Sequence, residues 1–305
     1  MVDPLTGFAS ADLVPRAERA TAPFQAPQAA VAKGQRQLLV ATDLDGCLLD
    51  ELTYSYEAAR PALHALARRR VRLVLASSKT RAEMEPLARS LGLHSPLIVE
   101  NGGALVIPRG DGSYDFVARG EPRPRLVAAL AEIDAETGAG LRGFFSLTPE
   151  ELQRLTGLTA DGARRALERD YDEPFLVQDE SKAPFVAAAA ERRGLRVTRG
   201  GRFYHLTGAT DKGKALRELL TLFARGGRRY VTVGLGDAAN DLPMLRAVDR
   251  PIVIPRRGRE LDRQLPGLAR AERAPAPGPV GWNAAVLAVL RGARLPALVT
   301  RGQDQ

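Results

Sequence analysis

One cysteine, Cys47, stands alone in 305 residues. That excludes an internal disulfide framework and suits a cytoplasmic chain, which is the expected location. No apolar run approaches the roughly 20 residues that a membrane helix needs, so no membrane association is expected. Up to about Gln35 there is no apolar stretch ending in a small-residue cleavage site, so the segment does not read as a secretory signal. The stretch "RATAPFQAPQAAVAKGQ" is built mainly from Ala, Pro and Gln. It predicts a poorly ordered extension over residues 1–36. Lysine is scarce as well: of 44 basic residues only five are Lys and 39 are Arg. Aromatic residues make up 5%.

These scarcities bear on the net charge of +8 and the pI of about 10. A basic surface can serve nucleic acid. Here the denser clusters, Arg68-Arg69-Arg70 and Arg256-Arg257 with Arg259, are short and lack interleaved aromatics. A scattered, solvated Arg surface is therefore preferred, and no nucleic-acid partner is expected. A small anionic substrate would be served equally well by this charge.

What is present in quantity is apolar sequence, 45% of the chain, enough for a real core. Short continuous apolar runs recur at Gln37–Thr42, Arg72–Ala76, Pro96–Glu100, Tyr230–Leu235 and Pro251–Ile254. Continuous rather than alternating runs fit parallel strands buried on both faces. Between the first two, "SYEAARPALHALARRR" places Ala59, Leu63, Leu66 and Ala67 at helical spacing. Between the next two, Thr80 and Glu83 fit a capping box, while Pro86 predicts a kink or a late helix start. The rhythm breaks at a Pro/Gly turn cluster, Pro108–Ser113. From there to about Thr207 the pattern is a strand near Tyr114–Ala118, helices near Pro122–Glu136, Pro149–Leu155, Thr159–Asp170 and Ser181–Arg193, a strand near Glu173–Gln178, and a hairpin joining Leu195–Thr198 to Arg202–Leu206. The predicted fold is α/β: an open parallel Rossmann-like sheet domain, residues 37–108 and 208–295, interrupted by an inserted α+β cap domain at 109–207.

In an open α/β sheet, functional groups collect outside the carboxyl ends of the strands. Those ends carry Asp43 and Asp45, then Ser77 and Ser78, then Asp237, Asn240 and Asp241, with Lys212 and Gly213 opening the helix at Asp211. Several carboxylates meeting at one point repel. A divalent cation removes that cost, and an oxygen-only set that shares a substrate phosphate suits Mg²⁺. A lysine and a hydroxyl can hold the remaining phosphate oxygens. One carboxylate can attack phosphorus, and another two residues on can protonate the leaving alkoxide and later activate water. Gly46 lets the backbone turn close to the phosphate.

In this order "TDLDG", Ser77, "DKG" and "GDAAND" resemble the four motifs of the haloacid dehalogenase superfamily of phosphatases. The insert between the second and third resembles the sugar-phosphatase branch. "SKTR", "VENGGAL", "LTGLT", "ERDYDEPF", "GGRFYHL", "DKGKA", "VGLGDAANDLPM" and "PAPGPVGW" make the chain from about 38 to 285 similar to the mannosyl-3-phosphoglycerate phosphatase family. The resemblance implies Asp43 as nucleophile and Mg²⁺ ligand, and Asp45 as general acid/base with its carbonyl on the metal. It implies Ser77 and Lys212 on the phosphoryl group, Asp237 on the metal, and Asp241 and Asn240 beside it, directly or through water. It makes 2-O-mannosyl-3-phosphoglycerate the expected substrate and mannosylglycerate, a compatible solute, the product. A glucosyl, trehalose-type or sucrose-type phosphate is the enzymatic alternative. The cap is expected to close over the site. Arg202 and His205 would face the sugar or glycerate, or be a surface Arg and a packed His. Asn101 and Gly102 would contact substrate or form only a tight turn, and Lys79 and Arg81 would bind the glycerate carboxylate or merely begin a helix. Cys47 departs from the family, which usually has Thr there; a thiol is the poorer hydrogen-bond donor.

Four other readings are weaker. A cysteine-phosphatase nucleophile needs an Arg shortly after the Cys, where this chain has Thr53. "GLGDAA" fits a loose dinucleotide loop, but the next strand end has Pro255-Arg256 and no acid for a ribose. A signalling receiver also uses a strand-end Asp, against which stand the insert and the chain's length; a non-catalytic nucleic-acid binder on this scaffold would show a steep salt dependence and no phosphate release.

Overall fold

The computed structural model describes residues 36–109, 113–258, 268 and 270–296. The expected N-terminal extension, Arg36 excepted, lies outside the described residues, as do Arg259 and positions 110–112 of the turn cluster. No helix among the described residues is long and apolar enough to cross a membrane.

The large sheet has eight strands in the order β12-β11-β10-β1-β2-β3-β4-β5. They are β1 (Arg36–Thr42), β2 (Arg72–Ala76), β3 (Leu97–Val99), β4 (Ala104–Pro108), β5 (Tyr114–Ala118), β10 (Arg229–Gly236), β11 (Arg250–Val253) and β12 (Glu272–Arg273). Pairing is parallel from β12 to β3 and antiparallel from β3 through β5. The continuous apolar runs arise because both faces are covered. Val40, Leu73, Leu75 and Leu97 pack under helices α1 (Arg60–Arg68), α2 (Arg81–Ser90) and α9 (Gly278–Leu290). Leu39, Ala41, Val74 and Ile98 pack under α7 (Lys212–Arg225) and Met244 of α8 (Leu242–Leu245). The capping box of Thr80 and Glu83 is present, and α2 runs through Pro86, so the late start expected there does not occur.

The second sheet is antiparallel, in the order β6-β7-β9-β8: β6 (Leu141–Gly143), β7 (Asp172–Val177), β8 (Arg196–Arg199) and β9 (Tyr204–Thr207). Its helices are α3 (Arg123–Thr137), α4 (Pro149–Thr156), α5 (Ala160–Leu167) and α6 (Ala183–Arg192). Side chains alternate across this sheet. Phe175, Val177 and Leu206 face α3 and α6, which leaves Asp172, Pro174 and His205 on the opposite side. The chain leaves the large sheet later than the boundary at 109 expected from sequence. At the Pro/Gly cluster Arg109 N–H donates to Ser113 C=O at 2.7 Å, and β5 stays paired to β4.

The insert lies on the strand ends. Thr80 Oγ1 donates to Arg165 C=O at 2.8 Å, and Arg169 Nη1 donates to Ser78 C=O at 3.1 Å. Glu100, buried at the end of β3, accepts from the backbone N–H groups of Asp170, Tyr171 and Asp172.

Candidate active site

Strand order reverses between β1 and β10: from β1 the chain builds outward through β2 and β3, then returns to the other side. A ligand crevice belongs at the carboxyl ends of strands flanking such a reversal. Asp43 follows β1, its N–H continuing the ladder to Leu235 C=O at 2.9 Å. Its C=O accepts from Thr42 Oγ1, which accepts in turn from the indole of buried Trp282 on α9. The carboxylate-bearing loop is thus braced from beneath.

Asp211 caps α7 with its side chain, and this aims Lys212 inward. Lys212 is fully buried, with Nζ 2.6 Å from Asp43 Oδ1 and 2.7 Å from Asp241 Oδ1. Burial alone would lower its pKa; Asp241 and Asp43 outweigh that and raise it. Asp241 Oδ2 accepts from the N–H groups of Asp237 and Ala238. Both Asp241 oxygens are therefore engaged in holding the lysine and the loop. Asp237 Oδ2 accepts from Arg256 Nε at 2.6 Å. Its Oδ1 is buried with no partner among the described residues, as is Oδ1 of Asp45. Burial, with Asp241, Asp237 and Asp45 nearby, pushes the Asp43 carboxyl well up against the opposing pull of Lys212. Asp237 is pushed up to about 7, chiefly by burial.

These are the marks of a cation site. Ligand atoms from Asp43, Asp237 and Cys47 lie within 4.8 Å of one another, and orphaned buried oxygens are costly unless something satisfies them. Gly46 has φ +80°, and a Cβ there would sit 2.6 Å from Asp237 Oδ2, so glycine is needed on both counts. Cys47 is buried beside the carboxylates. Burial and the negative charges of Asp237 and Asp43 push its thiol up, the reverse of what a thiolate nucleophile requires.

A cavity of about 140 Å³ opens between the strand ends and the insert. Asp43, Asp45, Ser78, Asp237 and Asn240 line it on the sheet side. Phe144, Arg169, Arg202 and His205 line it on the insert side. Lys79 is in the wall, 3.1 Å from Asp45 Oδ2 and with its ammonium 5.1 Å from the Tyr54 ring centroid. Ser77 is buried at the end of β2, its Oγ accepting from Lys79 N–H.

Three expected substrate contacts lie elsewhere. Arg81 opens α2 on the outside, paired with Glu85 one turn on and lying over Phe116. Asn101 is buried behind the wall, its amide spent between Asp172 and Asn240. Gly102, with φ +91°, lies so close to Asp211 C=O that a Cβ would clash; it supports the start of α7. Arg202 does border the cavity, with its guanidinium on the Leu155 and Thr156 carbonyls. Sequence reasoning missed Tyr54, Arg169, Asp172 and Arg256. Arg256 sits at a strand end, and Arg169 and Asp172 lie within "ERDYDEPF"; Tyr54 is brought in by the tertiary packing alone.

Residues 40–115 match the model of the haloacid dehalogenase-like hydrolases. A glucosyl-3-phosphoglycerate/mannosyl-3-phosphoglycerate phosphatase of Methanococcoides burtonii is 40% identical over 261 residues, covering 82% of this chain and 96% of the relative. A mannosyl-3-phosphoglycerate phosphatase of Pyrococcus furiosus is 35% identical over 227 residues, covering 71% and 90%. In fold, the chain is similar to a Thermoplasma acidophilum protein, with TM-score 0.61 and 20% identity over 84% of this chain and 98% of the other. It is also similar to the sucrose-phosphatase of Synechocystis, with TM-score 0.58 and 16% identity over 84% and 98%. With a carboxylate-lysine centre at the strand reversal and relatives that match along most of its length, the chain belongs to the haloacid dehalogenase-like hydrolases, in the family of the glucosyl-3-phosphoglycerate/mannosyl-3-phosphoglycerate phosphatases.

Proposed function

We propose that this phosphoric monoester hydrolase removes phosphate from a glycosyl-3-phosphoglycerate, with the mannosyl compound as the expected substrate and the glucosyl compound as the alternative. The observation that carries the reading is the buried lysine between Asp43 and Asp241, beside a carboxylate oxygen on Asp237 that no described residue satisfies. Such a centre makes sense when an anion and a cation complete it.

An oxygen of Asp43 attacks phosphorus as the bond from phosphorus to the glycerate oxygen breaks. Asp45 gives its proton to that departing oxygen. Water, losing a proton to Asp45, then attacks phosphorus and releases phosphate from the aspartyl-phosphate. Lys212 neutralises Asp43 and the incoming phosphoryl oxygens, and Ser77 serves as a hydroxyl partner to the phosphoryl group. The donor set fits Mg²⁺, held by Asp43, Asp237 and the Asp45 carbonyl; when bound it would offset the converging negative charge of carboxylates and phosphate. Phosphate-monoester hydrolysis is among the slowest uncatalysed reactions, calling for acceleration toward roughly 10²¹-fold. The second sheet and its helices act as a cap that screens the cavity from bulk water. The excess of arginine suits a substrate that carries both a phosphate and a carboxylate.

The test is phosphate release from mannosyl- and glucosyl-3-phosphoglycerate, sucrose phosphate and trehalose phosphate, each with and without EDTA. The expected result is preference for the phosphoglycerates and loss of activity with EDTA. Equal turnover of sugar phosphates that lack a carboxylate would reject the substrate class.

A further inference from the structure

Behind the cavity wall, one chain of side-chain hydrogen bonds joins its two sides. Asn240 Nδ2 donates to Asn101 Oδ1 at 3.1 Å, and Asn101 Nδ2 donates to Asp172 Oδ2 at 3.0 Å. On the far side, His205 Nδ1 lies 2.8 Å from the same oxygen and 3.1 Å from Asp172 Oδ1. Asp172 is wholly buried at the start of β7. Arg169 Nη1 lies 3.3 Å from Oδ2 and supplies the counter-charge. Both ends of the chain, Asn240 and His205, line the cavity.

A carboxylate is the one member of this chain that can only accept. Asn101 must therefore turn its NH₂ toward Asp172 and its oxygen toward Asn240. Asn240 must then donate its NH₂ to Asn101, which leaves its own Oδ1 for the cavity. By the same logic His205 carries its proton on Nδ1, which leaves the lone pair of Nε2 for the cavity. Nε2 lies beside Gly200, where an added Cβ would stand 2.9 Å away and press on that nitrogen. We propose that Asp172 is a positioning residue: it sets the direction of every hydrogen bond in the chain, so that both sides of the cavity present an acceptor. On the insert side Nε2 accepts from a hydroxyl of the glycosyl or glyceryl group. On the sheet side Asn240 Oδ1 is an acceptor in the wall of the cavity that Asp237 also lines, which suits the hydrogens of a hydrated cation and not the oxygens of phosphate. This inference rests on the reading of the site as a glycosyl-phosphoglycerate phosphatase.

The chain contains three histidines, so the tautomer is directly readable. Protein labelled with ¹⁵N at histidine gives long-range ¹⁵N–¹H spectra, and H205Q identifies the His205 signals by their loss. The expected wild-type result, without substrate, is a proton on Nδ1 and a bare Nε2. A proton on Nε2 alone, or on both nitrogens at pH 8, overturns the proposal. In D172A both accepting oxygens are gone, so neither end of the chain is held. The His205 proton is then free to move to Nε2 and Asn240 to turn its NH₂ outward. The expected readout is that KM, or the Mg²⁺ concentration giving half-maximal rate, rises about tenfold, the weight of one hydrogen bond, with kcat changed by less. A folded D172A with the wild-type tautomer, KM and Mg²⁺ requirement overturns the proposal. Should D172A fail to fold, the wild-type spectrum decides by itself. The spectrum uses no substrate, so a wrong substrate class, seen as no phosphate release by the wild type, is told apart from a wrong role for Asp172.

Discussion

Lys212 Nζ lies 2.6 Å from Asp43 Oδ1, joining residues 169 positions apart in a place closed to solvent. A second carboxylate, Asp241, sits on the same ammonium at 2.7 Å. Removing one partner of a buried pair leaves uncompensated charge, at a cost of about 3–5 kcal/mol. K212M is expected to lose stability on that scale and to recover part of it on addition of Mg²⁺. Denaturant titration with and without Mg²⁺ measures both, and an unaltered midpoint would mean that the lysine does not stabilise the cluster.

Asp43 and Asp45 are expected to separate by role. Asp43→Asn removes the nucleophile, and phosphate release should fall by at least about 10⁴-fold with the fold retained. Asp45→Asn removes the proton donor, for which the usual loss is roughly 10²- to 10⁴-fold. Rapid-quench detection of phosphorylated enzyme should find the intermediate in the Asp45 variant and not in the Asp43 variant.

Metal dependence should show in stability as well as rate. Asp237 has an ordinary value near 3.8 and is pushed up to about 7 in the folded, metal-free protein. Below pH 3.8 both states hold the proton and there is no cost. Between pH 3.8 and 7 the unfolded chain ionises while the folded one keeps its proton, so stability falls as pH rises. Above about pH 7 the penalty is complete, roughly 4 kcal/mol. Ligation by Mg²⁺ would remove it. The gain in melting temperature from Mg²⁺ is expected to be larger at pH 8 than at pH 5, and equal gains would count against Asp237 as a ligand.

Lys79 lines the cavity between Asp45 and Glu83. If its ammonium takes the glycerate carboxylate, K79M should raise KM for a glycosyl-3-phosphoglycerate by about tenfold or more, as for a charge-assisted hydrogen bond. Hydrolysis of p-nitrophenyl phosphate, which has no carboxylate, should change far less. A parallel decline on both substrates would place Lys79 with the phosphoryl chemistry instead.

The sheet was legible because its signals are local. A run such as Leu38–Ala41 is apolar throughout, since a strand buried on both faces has no polar side to show. The cluster at Pro108–Ser113 misled for the same local reason: Pro and Gly mark connections within a domain as well as between domains, and only the pairing of β5 with β4 distinguishes them. Arg81 and Lys79 look alike in "SKTR". Helix geometry sends Arg81 outward to Glu85, while Lys79, before the Thr80 cap, turns in toward Asp45.

From the sequence alone came the chemistry at the strand ends: two carboxylates after β1, a lysine opening α7 and the acidic loop after β10. Each depends on spacing within a few residues, where the backbone geometry of strand and helix leaves little choice. What the tertiary structure decided was which oxygens remain free. Asp241 spends both oxygens on Lys212 and the loop amides, Asp237 keeps one oxygen without a partner among the described residues, and Asp172 faces His205 across the insert. A hydrogen bond depends on distance and direction in space, and residues tens of positions apart acquire both only when the chain has packed.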